Sequence, residues 1–210
     1  MDIKPIETFY GGYRFRSRLE ARWAVFFDAM GIKYQYEPEG FELGDGYRYL
    51  PDFYLPHEDV WVEIKGKPLT DKEREKIERF CIAKCDLANG GSKFRLLEGE
   101  IPQEPIEVAE GIAAIPAFSY ISPDEFVRAI KEMTGKEGER PEAGVLLLSM
   151  WVHGKKEWNY LNLKKALLKA RQARFEYGET PDHDTVEFGN TALRDMTSDF
   201  KAWKKNKGIE

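Results

Sequence analysis

Apolar residues recur at helical spacing over residues 18–30, where Leu19, Trp23, Phe26, Phe27 and Met30 form one stripe. Ser17 with Glu20 three residues on is a capping-box signal at the start of this helix, and Gly31 is a natural stop. The pattern then changes to short strand-like runs, KYQYEP, GFEL and YRYLPDFYL, and the turn residues GDG between the last two predict a hairpin. PHED turns the chain again before VWVEIK, in which Val60, Val62 and Ile64 face one way and Trp61, Glu63 and Lys65 the other. A second helix is predicted over residues 71–88, opened by Thr70 with Glu73 and buried through Ile77, Phe80, Cys81 and Leu87. NGG ends it, and KFRLLEG reads as the next strand.

Further along, GIAAIPAF is a candidate strand, and SPDEFVRAIKEMTG a helix capped by Ser122 with Pro123 behind it. KEGERPEAG is a polar loop and VLLLSMWV a buried strand. A basic helix is predicted over 160–177, between Asn159 and Gly178, with Leu163, Ala166, Leu167 and Ala170 inward and Lys165, Lys169 and Gln172 outward. The last thirty or so residues are weakly patterned. Helix, strands, helix, strand in that order predict an α/β core over residues 1–103, a mixed central sheet flanked by helices. Residues 104–210 form a smaller α+β C-terminal extension.

Composition narrows the class. Of 210 residues, 42% are hydrophobic and 33% charged, which is a soluble globular balance. No apolar run spans a membrane and the charged N-terminus is not a signal peptide, so the expected location is the cytoplasm, with no membrane partner. The two cysteines, Cys81 and Cys85, share a helix face and read as reduced thiols: a zinc site needs more ligands, and a redox pair is spaced more closely. The net charge of −5 runs against phosphate binding, but residues 14–22 and 155–174 are locally basic, and distribution matters more than the total.

The polar residues that interrupt apolar strands carry the chemistry. Glu63 and Lys65 share a face of a strand otherwise fit for burial, where charges need partners. Asp52 breaks the apolar run LPDFYL on the preceding strand, and a hairpin brings it beside them. Carboxylate oxygens of this kind bind Mg²⁺ or Mn²⁺. Such an ion neutralises a phosphodiester oxygen and acidifies a water, and a nearby lysine stabilises charge developing on phosphate. Glu20, on the first helix, is a further candidate ligand, or else only a helix cap. The bland reading of Glu63 and Lys65 is an exposed surface ion pair, worth little.

An Asp in a PD pair followed by Glu-x-Lys on the next strand resembles the PD-(D/E)xK nuclease superfamily, the restriction-endonuclease-like fold. FRSRLEARWAVFFDAMGI, YEPEGFEL, YLPDFYLP and WVEIKGK together resemble bacteriophage proteins of that superfamily over about residues 5–102, and ARQARFEYGE near the C-terminus adds to the likeness. The resemblance implies a restriction-endonuclease-like core and a Mg²⁺- or Mn²⁺-dependent phosphodiesterase acting on DNA. It implies catalytic Glu20, Asp52, Glu63 and Lys65, with metal held by Asp52, Glu63, Glu20 and the backbone at Ile64. A homodimer would let each subunit cut one strand. The alternative is a catalytically idle module that keeps the fold to bind DNA or a protein partner; a structural role in a virus particle has no specific support.

Arg14, Arg16, Arg18, Lys67, Lys164 and Arg171 are the cations offered for DNA contact, on the core or on the extension. Lys164 and Arg171 flank the apolar side of their helix, and the acidic balance of the chain favours internal carboxylates as their partners. His57, His153 and His183 read as histidines of turns or surface segments.

Overall fold

The structure, a computed structural model, describes residues 5–85, 91–107, 113–121, 145–151, 160–177 and 179–184. The predicted helix at 122–135, the loop at 136–144, Leu87, His153 and the weakly patterned C-terminal residues from 185 on lie outside these. Among the described residues no helix is long and apolar enough to cross a membrane.

The chain opens with a hairpin of β1 (Thr8–Tyr10) and β2 (Tyr13–Phe15). Its turn needs glycine at position 11, where φ is +57° and an added Cβ would meet the Tyr34 hydroxyl at 3.2 Å and the His183 ring at 3.3 Å. Helix α1 (Arg18–Ala29) follows, capped at Ser17 and stopped by Met30 and Gly31. Then come β3 (Gln35–Tyr36), β4 (Phe41–Glu42), β5 (Arg48–Tyr49), β6 (Phe53–Leu55) and β7 (Val60–Lys65). Helix α2 (Asp71–Lys84) leads to β8 (Lys93–Glu98), and β9 (Ile106–Glu107), β10 (Ala113–Ile121), β11 (Val145–Trp151) and α3 (Tyr160–Gln172) complete the described elements.

The main sheet runs β11-β10-β8-β7-β6-β3, with β9 on β10. It is mixed: β7 and β8 are parallel, joined across α2, and the other pairings are antiparallel. The alternation in β7 sorts its side chains into two cores. Val60, Val62 and Ile64 pack with α1 and with Leu163, Ala166, Leu167 and Ala170 of α3. Trp61 packs with Phe80 and Ile77 of α2 and with Phe94 and Leu96 of β8. The sheet is thus covered on both faces, as a parallel pair at its centre requires. Strands from both sides of residue 103 share this one sheet, and α3 packs in the same core as α1.

The expected mixed α/β arrangement is present, with differences at element ends. The run at 47–55, expected as one strand, is two. Pro51, which has no N–H and biases Leu50 away from helix, separates β5 from β6, and the two strands belong to different sheets. Helix α2 ends at Lys84, not 88, because Cys85 leaves helical geometry and the Lys84 carbonyl accepts from Ser92 N. The basic helix stops at Gln172: Ala173 N bonds back three residues to Ala170, and Tyr177 has φ +54°.

Candidate functional site

β7 lies between β6 and β8, so its backbone is committed on both edges and its side chains are held in register. Phe53 pairs with Val62 across β6 and β7, which sets Asp52, one residue before β6, next to the stretch Glu63-Ile64-Lys65. The Ile64 N–H donates to Asp52 Oδ2 at 2.7 Å. Phe53 itself is fully buried among Phe15, Phe27, Tyr34 and Tyr36, with ring centroids 5.2–5.9 Å away, and this packing fixes the backbone that carries Asp52.

Glu63 is only 4% exposed. Its Oε1 lies 3.0 Å from Lys65 Nζ, and its Oε2 accepts from the Tyr49 hydroxyl at 2.8 Å. Glu63 and Lys65 do pair, but not as an exposed surface pair: the Glu63 side chain is 5% exposed and that of Lys65 29%. Burial raises the Glu63 carboxyl above the ordinary range, opposed by Lys65 and Tyr49. Asp52 is pushed well above that range by burial first, then by the charges of Glu63 and Glu20; the Ile64 N–H and Lys65 oppose. For Lys65, burial works downward, but Glu63, Asp52 and Glu73 outweigh it and hold the ammonium above its ordinary value.

Glu20 is buried as well, and it does cap α1: Ser17 Oγ accepts from Glu20 N and donates to Glu20 Oε1 at 2.6 Å. Its Oε2 accepts from Arg16 N at 3.1 Å and from the Tyr36 hydroxyl at 2.6 Å. Glu20 thus faces the cluster electrostatically, while its oxygens are engaged in holding the first turn.

Three further residues join the cluster. Glu37 is raised by burial and by the charges of Glu20 and Glu63, and its Oε1 lies 2.8 Å from Arg16 Nε. Its backbone, at φ +43°, donates to the Asp52 carbonyl. Tyr36 and Tyr49 are the hydroxyl donors to Glu20 and Glu63. The sequence signal for all three was slight: each sits in an aromatic run that reads as strand core, which Tyr36 and Tyr49 indeed are.

Among the described residues, no three His, Cys, Asp or Glu side chains are grouped so as to hold a metal ion. The donor chemistry nevertheless fits one. Asp52 and Glu63 are neighbouring oxygen donors, and both are shifted toward the neutral form. That is the electrostatic condition a divalent cation relieves.

The candidate DNA-contact cations are mostly engaged by carboxylates. Arg14 pairs with Glu7 and Arg16 with Glu37. Arg18 pairs with Glu176 at 2.6 Å and Lys164 with Glu104 at 2.7 Å. Lys67 is exposed in the loop after β7. The buried Nε of Arg171 meets no acceptor among the described residues. His57 is exposed, and His183 stacks on Tyr10 with its Nδ1 3.1 Å from Asp28 Oδ2, away from the carboxylate cluster in sequence and in partners. Cys81 and Cys85 are buried free thiols against the sheet. No protein-family model, curated protein or solved structure matches the chain.

Proposed function

We propose that this protein is a metal-dependent deoxyribonuclease of the PD-(D/E)xK type, with a restriction-endonuclease-like core, in which Asp52 and Glu63 hold Mg²⁺ or Mn²⁺. One observation carries the reading. The carboxylate of Asp52 is hydrogen-bonded to the backbone N–H of Ile64, the residue between Glu63 and Lys65. Two carboxylates and one ammonium therefore meet where β6 and β7 run side by side, and the Ile64 carbonyl is a further oxygen donor near at hand.

When bound, the ion supplies charge neutralisation at phosphate and a more acidic water. The chain's own residues do the rest. Asp52 and Glu63 bind and orient through oxygens already fixed by Ile64 N–H and Tyr49. Lys65 stabilises charge developing on the phosphate oxygens. Glu20 and Glu37 add negative potential around the pair, and Glu20 gains a ligand role only by giving up part of its cap. Hydrolysis joins the oxygen of one water to phosphorus and breaks the bond to the leaving sugar oxygen, which takes up a proton. DNA is the partner, and a two-fold pair of chains would serve two strands.

The test is cleavage of supercoiled, linear and branched DNA with Mg²⁺, Mn²⁺, Ca²⁺ or EDTA. Mg²⁺ or Mn²⁺ supports cutting, and EDTA abolishes it. Asp52→Ala and Glu63→Ala remove nearly all activity, and Lys65→Ala lowers the rate by about 100-fold, the order expected when one transition-state donor is deleted. Full activity in EDTA, or wild-type rates in the Asp52 or Glu63 variants, overturns the reading. Tight DNA binding without cleavage under every metal condition favours the idle module instead.

A further inference from the structure

Lys65 has two carboxylate partners, and they are not equivalent. Its Nζ lies 3.0 Å from Glu63 Oε1 and 3.3 Å from Glu73 Oε1. Glu63 is the buried one, and in the proposed reading its oxygens also serve a cation. Glu73 belongs to a different element. It is the third residue of α2, and its Oε2 accepts from Thr70 N at 2.9 Å and from Thr70 Oγ1 at 2.7 Å. The capping box at the start of α2 is complete, with Thr70 Oγ1 accepting from Glu73 N in return. A capping box occupies one carboxylate oxygen. Here the second oxygen is left over, immobilised by the first, and it meets the lysine.

We infer that Glu73 is a positioning residue: it clamps the Lys65 ammonium independently of Glu63, so that the lysine stays in place when Glu63 turns its oxygens to a divalent cation. The inference rests on the reading of Glu63 and Lys65 as a working pair. Its physical basis is the freedom of a lysine. The side chain is a flexible four-carbon stem ending in a point charge. Held by Glu63 alone, it would be released once that carboxylate is neutralised. The helix cap supplies a second anchor that no cation bound at Asp52 and Glu63 competes for. The anchor is fixed in space because α2 is packed on the sheet through Ile77, Phe80 and Cys81.

Glu73→Gln is the informative variant, since glutamine at this position still caps a helix but turns a donor, not a charge, toward Lys65. The first measurement needs no activity and no metal. It is the side-chain ammonium ¹H–¹⁵N signal of Lys65 at neutral pH, assigned by its loss in Lys65→Arg, which persists only while the ammonium is held. The signal is present in the wild type and survives in Glu63→Gln, where Glu73 alone holds the amine; it disappears in the Glu63→Gln, Glu73→Gln double variant. Its absence from the wild type or from Glu63→Gln overturns the clamp. The second measurement adds Mg²⁺: the signal survives in the wild type and is lost in Glu73→Gln, and survival there overturns the proposed independence from Glu63. The third is kinetic. Glu73→Gln lowers kcat by about 10-fold with KM unchanged, the signature of a group that acts in the transition state only; an unchanged kcat overturns the positioning role. The two readings fail separately. A wild type that cuts no DNA while Glu63→Gln keeps the signal removes the nuclease and leaves the clamp. A wild type that cuts while Glu63→Gln loses the signal does the reverse.

Discussion

Asp52 carries an electrostatic cost in the metal-free fold. Its carboxyl and that of Glu63 titrate above the unfolded value of about 4, and the cause in each case is burial first. The sign follows from linkage. Above the raised native values both groups are charged, and the folded state carries their full burial penalty. As pH falls through those values the native site takes up protons before the unfolded chain does, so these groups become less destabilising. The relief is complete below about pH 4, where the unfolded carboxyls are protonated too. Asp52→Asn keeps an oxygen for the Ile64 N–H and removes the charge. In EDTA the variant therefore melts higher than the wild type at pH 7–8, by ~2–4 °C for each kcal/mol relieved, and the gap closes toward pH 4. Mg²⁺ raises the melting temperature of the wild type and not of the variant. A gap that is absent, or that widens in acid, contradicts the assignment. At this scale Asp52, Glu63 and Lys65 were legible because each interrupts an otherwise apolar run of sequence, where a charge needs a reason. Glu37 and the two tyrosines were not, because their partners lie on other elements, distant along the chain. Glu73 was read only in part: the cap is real, but one of its two oxygens has another use.

The elements were legible where the local signals agree. Caps fixed the starts of α1 and α2 at Ser17 and Thr70, and the two-residue alternation of β7 foretold which side chains enter which core. Ends were harder to read, since they depend on what the chain meets next. Pro51 was visible, yet the apolar text around it still read as one strand; that β5 joins β4 while β6 joins β7 is decided by long-range pairing. Similarly, nothing local says that α2 ends at Lys84. The packing of α2 has a chemical readout in its thiols. Cys81 is 2% and Cys85 6% exposed. Burial, and then its neighbour Cys85, push the Cys81 thiol well above the ordinary cysteine value, so the reactive thiolate is scarce. Alkylation of Cys81 in the native protein is accordingly slow, and becomes fast in denaturant. Stopped-flow labelling with mass detection checks this; prompt modification of the native Cys81 is incompatible with α2 lying on the sheet.

On the scale of the whole molecule, charge and core tell different stories. The net charge of −5 is accompanied by arginines and lysines that neutralise carboxylates within the chain, so a broad phosphate-gripping surface is not among the described features. The core takes side chains from both sides of residue 103, because α3 supplies four fully buried side chains to the cluster that also holds α1 and β7. Leu167→Ala, far along the chain from the site, accordingly costs about 2–5 kcal/mol. It lowers a single melting transition, seen alike by circular dichroism and by tryptophan fluorescence. Two separated transitions, with only one moved, are the contrary result. The sheet order has a further consequence, which concerns time. Every group of the carboxylate cluster and its lysine clamp lies between Arg16 and Glu73, and the hairpin of β6 and β7 is among the shortest-range pairings in the sheet, of the kind that closes quickly. A ribosome therefore releases the whole chemical apparatus long before it makes α3, which completes the core behind α1. Until that helix arrives, two like charges, one of them buried and the other half-buried, are being assembled on an unfinished support. The order of synthesis thus places the electrostatically expensive part of the protein first and its stabilising cover last, and a cation at the cluster would ease that interval.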